Sequence, residues 1–300
     1  MITTTTALRE QALRLAERSW HVHPITPYRK KPPILDQWEA RASTNPEQIH
    51  DWWRQAPYAI GIATGPSGLI VIDLDAPKPG EPIPEPWAAR GITTGAGVLR
   101  ALARERSTTL TPTYTVRTPS GGWHLYYTTP PGTTLRNTQS TIGWKIDTRA
   151  HGGYVLAPGN PLPPHGYELV DDREPAQLPT WLHQALTPTP APGRSTPAVA
   201  ATTNPHGYVA AALEGECHRV RTAPPGRHNA ALCRAAYALG QLVGADLLDH
   251  HTAQAELTTA AHALISADCD CTPHEITRVI TTSLTAGIAN PRRTRPRSAA

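Results

Sequence analysis

The 300 residues contain no Phe and one Met, so Trp (8) and Tyr (9) carry the aromatic load. With so much Ala, Arg, Pro and Thr, this bias reads as codon composition. No apolar run approaches the ~18 residues of a membrane span. Arg9, Glu10 and Arg14 stand where a signal peptide would need an apolar core, so a cytoplasmic chain with no membrane partner is expected. The four cysteines, Cys217, Cys233, Cys269 and Cys271, all lie in the last third, too few and too lopsided for a disulfide framework. Cys269, Cys271 and His274 lack the two-to-four-residue spacer of a zinc site, and no second pair follows. No G-x-x-x-x-G-K-[ST] run occurs, which excludes a Walker-type ATPase from this chain, and any helicase would be a separate partner. Charged residues make up only 17% and hydrophobic ones 39%, enough for a core. The last ten residues hold no acid, and Arg292, Arg293, Arg295 and Arg297 account for the whole formal charge of +4. The basicity is therefore concentrated in a tail expected to be disordered.

Periodicity divides what is present. Leu8, Ala12, Leu15 and Ala16 predict a helix over Ala7–Ser19, and an extended run follows at His21–Thr26. Asn45-Pro46-Glu47 reads as a helix start that leads through Ile49, Trp52 and Trp53. Ala59–Ala63 and Leu69–Leu74 are β-branched runs around a Gly-containing turn and resemble a hairpin. A weak helix is expected over Val98–Glu105. Further strands are expected at Thr113–Thr118, Trp123–Thr128, Trp144–Thr148 and Gly153–Ala157. The reading is an α+β catalytic domain over 1–185 with a largely antiparallel sheet. A Pro/Thr/Ala-rich linker over 186–205 is expected to be semi-stiff. Then come a helical bundle over 206–290 and the basic tail over 291–300. The bundle's helices are read at Val209–Val220, around Ala231–Val243, at Ala253–Ile265 and at Pro273–Ile288.

Three short runs could carry chemistry. In Val71-Ile72-Asp73-Leu74-Asp75, residues two apart share a strand face, so both carboxylates point one way while Ile72 and Leu74 enter the core. Paired carboxylates repel and suit a hard cation, Mg²⁺ or Mn²⁺, although a D-x-D alone also suits a solvated strand end. In Ser120-Gly121-Gly122-Trp123-His124, the glycines allow close approach to a ligand and their amides could cradle an anion. His124 and Tyr126 share one face of the next strand, and Trp123, Leu125 and Tyr127 the other, taken as core. In Trp144–Arg149, Lys145, Asp147 and Arg149 alternate outward. Gly152-Gly153-Tyr154-Val155 follows.

This order of D-x-D, S-G-G-x-H-x-Y-Y and apolar-Asp-x-Arg resembles the primase-polymerase family, a branch of the archaeo-eukaryotic primase superfamily. Lys30-Lys31-Pro32 before Trp38, and Gly61-Ile62-Ala63-Thr64-Gly65, are similar to that family's N-terminal half, and the resemblance covers roughly residues 8–183. Arg221–Pro291, with Gly226-Arg227-His228-Asn229 opening its best helix, resembles more weakly the helical domain that accompanies primase-polymerases on mobile elements. The resemblance implies an RNA-recognition-like antiparallel sheet with the acids on its open face. It implies that Asp73, Asp75 and Asp147 hold the catalytic metals and that His124 contacts the nucleoside triphosphate. Ser120, Gly121, Gly122 and Arg149 fall where nucleotide contacts are expected, and Lys31 is a looser candidate beside Lys30. The implied reaction is template-dependent nucleotidyl transfer on single-stranded DNA, making and extending primers. In the bundle, Arg227 and Asn229 at a helix N-terminus are candidate template contacts. A non-catalytic replication factor with a primase-like fold is the alternative, against which stand the three acids and His124. A metal-dependent glycosyltransferase would need alternating strands and helices instead.

Overall fold

The computed structural model describes residues 4–130, 132–162, 165–187, 205–224, 227–263, 265 and 273–292. The chain divides into two compact units, Met1–Thr189 and Pro190–Ala300. Most of the 186–205 stretch and of the basic tail lies outside the described residues, as do Cys269 and Cys271.

The first unit opens with α1 (Thr4–Glu17), β1 (Val22–Ile25), α2 (Trp38–Arg41) and α3 (Pro46–Gln55). There follow β2 (Ala59–Ala63), β3 (Leu69–Leu74), α4 (Glu85–Ala88) and α5 (Gly95–Glu105). Strands β4 (Thr115–Arg117), β5 (Trp123–Thr128), β6 (Thr138–Gly143), β7 (Ile146–Arg149) and β8 (Tyr154–Leu156) come next. The unit closes with β9 (Glu168–Asp171), β10 (Ala176–Gln177) and α6 (Thr180–Leu186). The Asn45 side chain caps α3 by accepting from the amides of Glu47 and Gln48, with Pro46 in the first turn, as its residue types require.

Two sheets form. The smaller has the order β1-β2-β8; the larger runs β6-β7-β3-β5-β4-β9, with β10 added in parallel to β5. The expected β2–β3 hairpin is therefore a correction, because the two strands lie in different sheets. Each is a central strand with its own two partners, β1 and β8 for β2, β5 and β7 for β3. The buried Thr64 makes the switch: its hydroxyl donates to the carbonyls of Ala150 and Gly153, at 2.6 and 2.8 Å. The strand expected over Trp144–Thr148 starts at Ile146 instead, because Lys145 is left-handed with φ 61° and interrupts the extended chain.

The larger sheet is covered on both faces. Ile70, Ile72, Leu74, Tyr127 and Ile146 pack with Val98 and Leu99 of α5 and Leu182 of α6. On the opposite face Leu69, Val71, Val116 and Tyr126 share a core with Leu8 and Leu15 of α1, Trp53 of α3 and Ile60 and Ile62 of the small sheet. The face carrying the acids is thus not open along its length; it is buried at Val71 and Tyr126 and reaches the surface only towards Asp73 and Asp75. Trp53 anchors this second core. It is fully buried, and its indole N–H donates to the Tyr58 carbonyl at 2.8 Å. Trp53→Ala removes that volume and should cost about 3–5 kcal/mol, read as a lower denaturant midpoint for the first unit.

The second unit contains α7 (Pro205–Arg221), α8 (His228–Val243), α9 (His250–His262) and α10 (Pro273–Ile288). Leu232, Ala235, Ala236, Leu239 and Leu242 of α8 face Leu257 of α9 and Ile276, Ile280 and Leu284 of α10. Helices α8 and α10 pack closely because Gly287 has no side chain: a Cβ there would lie 2.2 Å from the Tyr237 carbonyl oxygen. Cys217 is buried in this core, and burial pushes its thiol up to about 11, so it packs as a small apolar group. The mixed α+β unit followed by helices agrees with the fold class expected from the sequence. No helix among the described residues is long and apolar enough to cross a membrane.

Candidate active site

Strands β7, β3 and β5 lie side by side, and their register sets three polar residues in one row. Asp73 on β3 stands opposite Asp147 on β7 and opposite His124 on β5. Two residues back on β3 the face becomes core on one side: Val71 stands opposite the buried Tyr126 on β5 and the part-exposed Arg149 on β7. The row therefore sits where the sheet face emerges from its core.

Two side chains pin Asp73. His124 Nε2 is 3.4 Å from its Oδ1, and Arg149 Nη2 is 3.4 Å from its Oδ2. The same guanidinium is 3.4 Å from Asp147 Oδ2, so Arg149 spans both acids. The second oxygen of Asp147 accepts from the Ser140 amide at 3.0 Å. Burial alone would raise the Asp73 carboxyl, but the His124 hydrogen bond and charge, with Arg149 behind them, hold it below the ordinary value.

Asp75 and Asp147 behave oppositely. Burial raises both; the charges of Asp73 and Asp147 push Asp75 further up, and that of Asp73 adds to the rise at Asp147. The charges of Arg149 and Lys145 offset only part of that rise at either acid. Asp75 is fixed through its backbone: its amide donates to the Lys145 carbonyl, and its carbonyl accepts from Gly95 at the start of α5, each at 3.0 Å. Lys145 does not join the row, because its Nζ pairs with Glu81 Oε2 at 2.7 Å.

A stability effect follows with a definite sign. A carboxyl raised in the folded state contributes stability below its unfolded pKa and loses it as pH rises through the folded pKa. Asp75→Asn should therefore melt higher than the parent at pH 7 in metal-free buffer. That advantage should fade as pH falls towards 4, near the ordinary carboxyl value of 3.8. Melting curves across this range check it.

The glycine turn lies beside this row. Gly121 has φ +83°, and a Cβ on Gly122 would lie 2.4 Å from the Leu74 carbonyl oxygen and 3.4 Å from Asp75 Cα. The turn thus packs directly on the strand end that carries Asp75. Its amides are already used: Gly121 donates to the Thr118 carbonyl and Gly122 to the Thr118 hydroxyl, both at 3.0 Å. The expected amide cradle is corrected accordingly, since Thr118 consumes both donors. The Ser120 side chain is exposed, with its hydroxyl 3.1 Å from that of Thr118.

His124 is 5% exposed rather than a surface side chain. Its ring lies against Tyr167, with centroids 5.6 Å apart, and its Nδ1 is buried without a hydrogen-bond partner. Sequence reasoning missed Tyr167, which sits in the chain between β8 and β9 with no periodicity around it. It also missed Thr118, which holds the glycine turn through its own neighbours Ser120, Gly121 and Gly122, and Ser140, which reaches Asp147 from the adjoining strand.

Lys31 lies in the exposed loop after β1, where the neighbouring Lys30 carbonyl accepts from the Tyr154 hydroxyl at 3.0 Å. Arg227 is the N-terminal flanking residue of α8 and makes no side-chain cap; Asn229, in the first turn, is exposed. Both belong to the second unit. Among the described residues, no three His, Cys, Asp or Glu side chains are grouped closely enough to enclose a metal ion.

A search of curated proteins finds no match to the chain. The sequence model of the bifunctional DNA primase/polymerase N-terminal domain matches residues 12–181. That stretch is more than half of the chain and takes in all ten strands of the described residues. On that match, the chain belongs to the bifunctional DNA primase/polymerase family.

Proposed function

We propose that the chain catalyses template-directed nucleotidyl transfer on single-stranded DNA, making and extending primers in replication of a chromosome or mobile element. Its family makes it a nucleotidyltransferase-type enzyme with DNA and nucleotides as substrates. The observation that carries the reading to particular residues is the cross-strand row Asp147, Asp73, His124, with Asp75 at its edge.

Enzymes of this family generally use divalent metals. In chemistry the donor set suits one: three carboxylates offer hard oxygen ligands, and a cation drawing them together would offset the burial and carboxylate repulsion that raise Asp75 and Asp147. Asp73, Asp75 and Asp147 would hold Mg²⁺ or Mn²⁺, which when bound lowers the pKa of the primer 3′-hydroxyl and offsets charge on the leaving pyrophosphate.

The chain's own side chains do the positioning. His124 fixes one oxygen of Asp73 and offers a donor to the triphosphate. Arg149 neutralises Asp73 and Asp147, and its planar fork also suits a phosphate oxygen. Ser120, exposed at the turn beside Asp75, and Lys31 extend the nucleotide contacts. The Gly121–Gly122 turn serves by bringing the backbone close to Asp75. In the second unit, Arg227 and Asn229 are the template contacts. The 3′-oxygen bonds to the α-phosphorus as the bond to pyrophosphate breaks, and no protein nucleophile takes part.

The test is incorporation of labelled nucleotides on a single-stranded DNA template with Mg²⁺ or Mn²⁺. A full-length product is expected; none with either metal would favour a non-catalytic replication factor. His124→Ala should raise the nucleotide KM by roughly 10–100-fold, the worth of a charge-assisted hydrogen bond, and leave template affinity unchanged. Equal loss of both would assign the residue to folding.

A further inference from the structure

On the face of the larger sheet opposite the acids, two adjoining cavities of about 290 and 780 Å³ are both lined by Thr111. The first lies over Leu74, Trp123 and Leu125 and is flanked by Arg100 of α5. The second lies between Arg106 and Trp181 of α6. Together they make one groove with an aromatic ring at each end. Each ring carries an arginine: Arg117 is 5.9 Å from the centre of Trp123 and Arg106 is 5.1 Å from that of Trp181. Arg100, Arg106 and Arg117 are all exposed. Two acids lie nearby. Glu105 is engaged by Arg90 at 2.7 Å, and Glu168 stands opposite Arg117 on β9. The arginines outnumber them along the groove.

One end of this groove meets the catalytic rim. Trp123 directly follows Gly122, whose backbone packs against Leu74 and Asp75. Tyr127 holds the middle in place, its hydroxyl donating to the Thr111 carbonyl at 3.2 Å. A cationic groove with flat rings spaced along it has the chemistry of a single-strand track: bases stack on the rings while guanidinium groups follow the phosphates. We infer that this groove is a second DNA site, which holds single-stranded template outside the catalytic centre and leads it to the Asp75 edge of the sheet. The inference rests on the reading of the chain as a DNA-templated polymerase, but its test is binding, which does not require turnover.

The probes are a 30-nucleotide and an 8-nucleotide single-stranded DNA, read by fluorescence anisotropy on the full chain. Arg100→Gln with Arg106→Gln should weaken binding of the long strand by at least tenfold. It should also flatten the dependence of log affinity on log salt by about 1.4, since each lost phosphate contact on a single strand removes about 0.7. The short strand, held at the catalytic rim alone, should bind the parent and the double variant alike. Incorporation by the double variant should show a raised KM for long template and an unchanged kcat. Unchanged affinity and salt slope for the long strand would overturn the inference. A melting curve identifies a variant that has lost its fold. In that case photocrosslinking of 5-iodouracil-containing DNA to the parent decides: adducts on Trp123 or Trp181 support the track, and adducts confined to other residues overturn it. A parent chain that binds the long strand through this groove yet incorporates nothing would sink the polymerase reading and leave the DNA site standing.

Discussion

Asp73→Asn should lower nucleotide incorporation by at least about 100-fold, the scale seen when one preorganised electrostatic contact to a reacting centre is removed. Asp73 is the middle of the row and the one acid tied to both His124 and Arg149. Asparagine keeps its shape and removes its charge, so His124 and Arg149 lose their common carboxylate partner and the proposed metal site loses one of its three carboxylates. Circular dichroism should show the parent fold. Melting should be lower at neutral pH, because a carboxyl held below its ordinary value contributes stability above its unfolded pKa and loses it as pH falls. The gap between variant and parent should therefore close in acid. Near-parent polymerase activity in the folded variant would end the assignment of these acids to catalysis.

Gly122→Val is the second large effect. Its Cβ would sit 2.4 Å from the Leu74 carbonyl oxygen, a backbone atom that cannot rotate away. Either the turn or the end of β3 must shift, and Asp75 is the next residue along that strand. A displacement of about 1 Å at a reacting group can cost about 100-fold in rate. Gly121→Ala is the control. No atom lies within 4 Å of its Cβ position, but φ is +83°, so the change adds about 1–2 kcal/mol of backbone strain without pushing on β3. The expected result is a Gly122 variant nearly inactive and a Gly121 variant somewhat less stable but active. Equal losses in single-turnover assays would show that the turn's conformation, not its contact with the Asp75 strand, is what matters.

Much of this site is visible in a linear reading because its determinants are local. Period-two alternation through Leu69–Leu74 and Trp123–Thr128 puts Asp73 and His124 on known faces, and a side chain's face depends only on the pleat. The Asn45 cap and the 3.6-residue spacing of α8 are equally local, and both helices form where their residues place them. The face of Asp147 was also legible, although the left-handed Lys145 that starts its strand late was not.

What alternation cannot state is which strand lies alongside. β2 and β3 are both buried and β-branched, which suits a hairpin and suits two central strands in different sheets equally well. The second arrangement prevails through partners far along the chain: Thr64 bonding to Ala150 and Gly153, and β3 lying between β5 and β7. The same long-range pairing covers Tyr126, buries His124, brings Tyr167 onto its ring and turns Arg149 into a bridge between two acids. Gly287, in the last turn of α10, shows the limit in the helical unit, since no local signal says that α8 approaches it within one missing methyl. Residue type and local period were enough to say which side chains could bind a cation or a phosphate, and on which face of its own element each lies. That Asp147, Asp73 and His124 form a row came only with folding, because register between distant strands is set by packing of the whole core and by no local period.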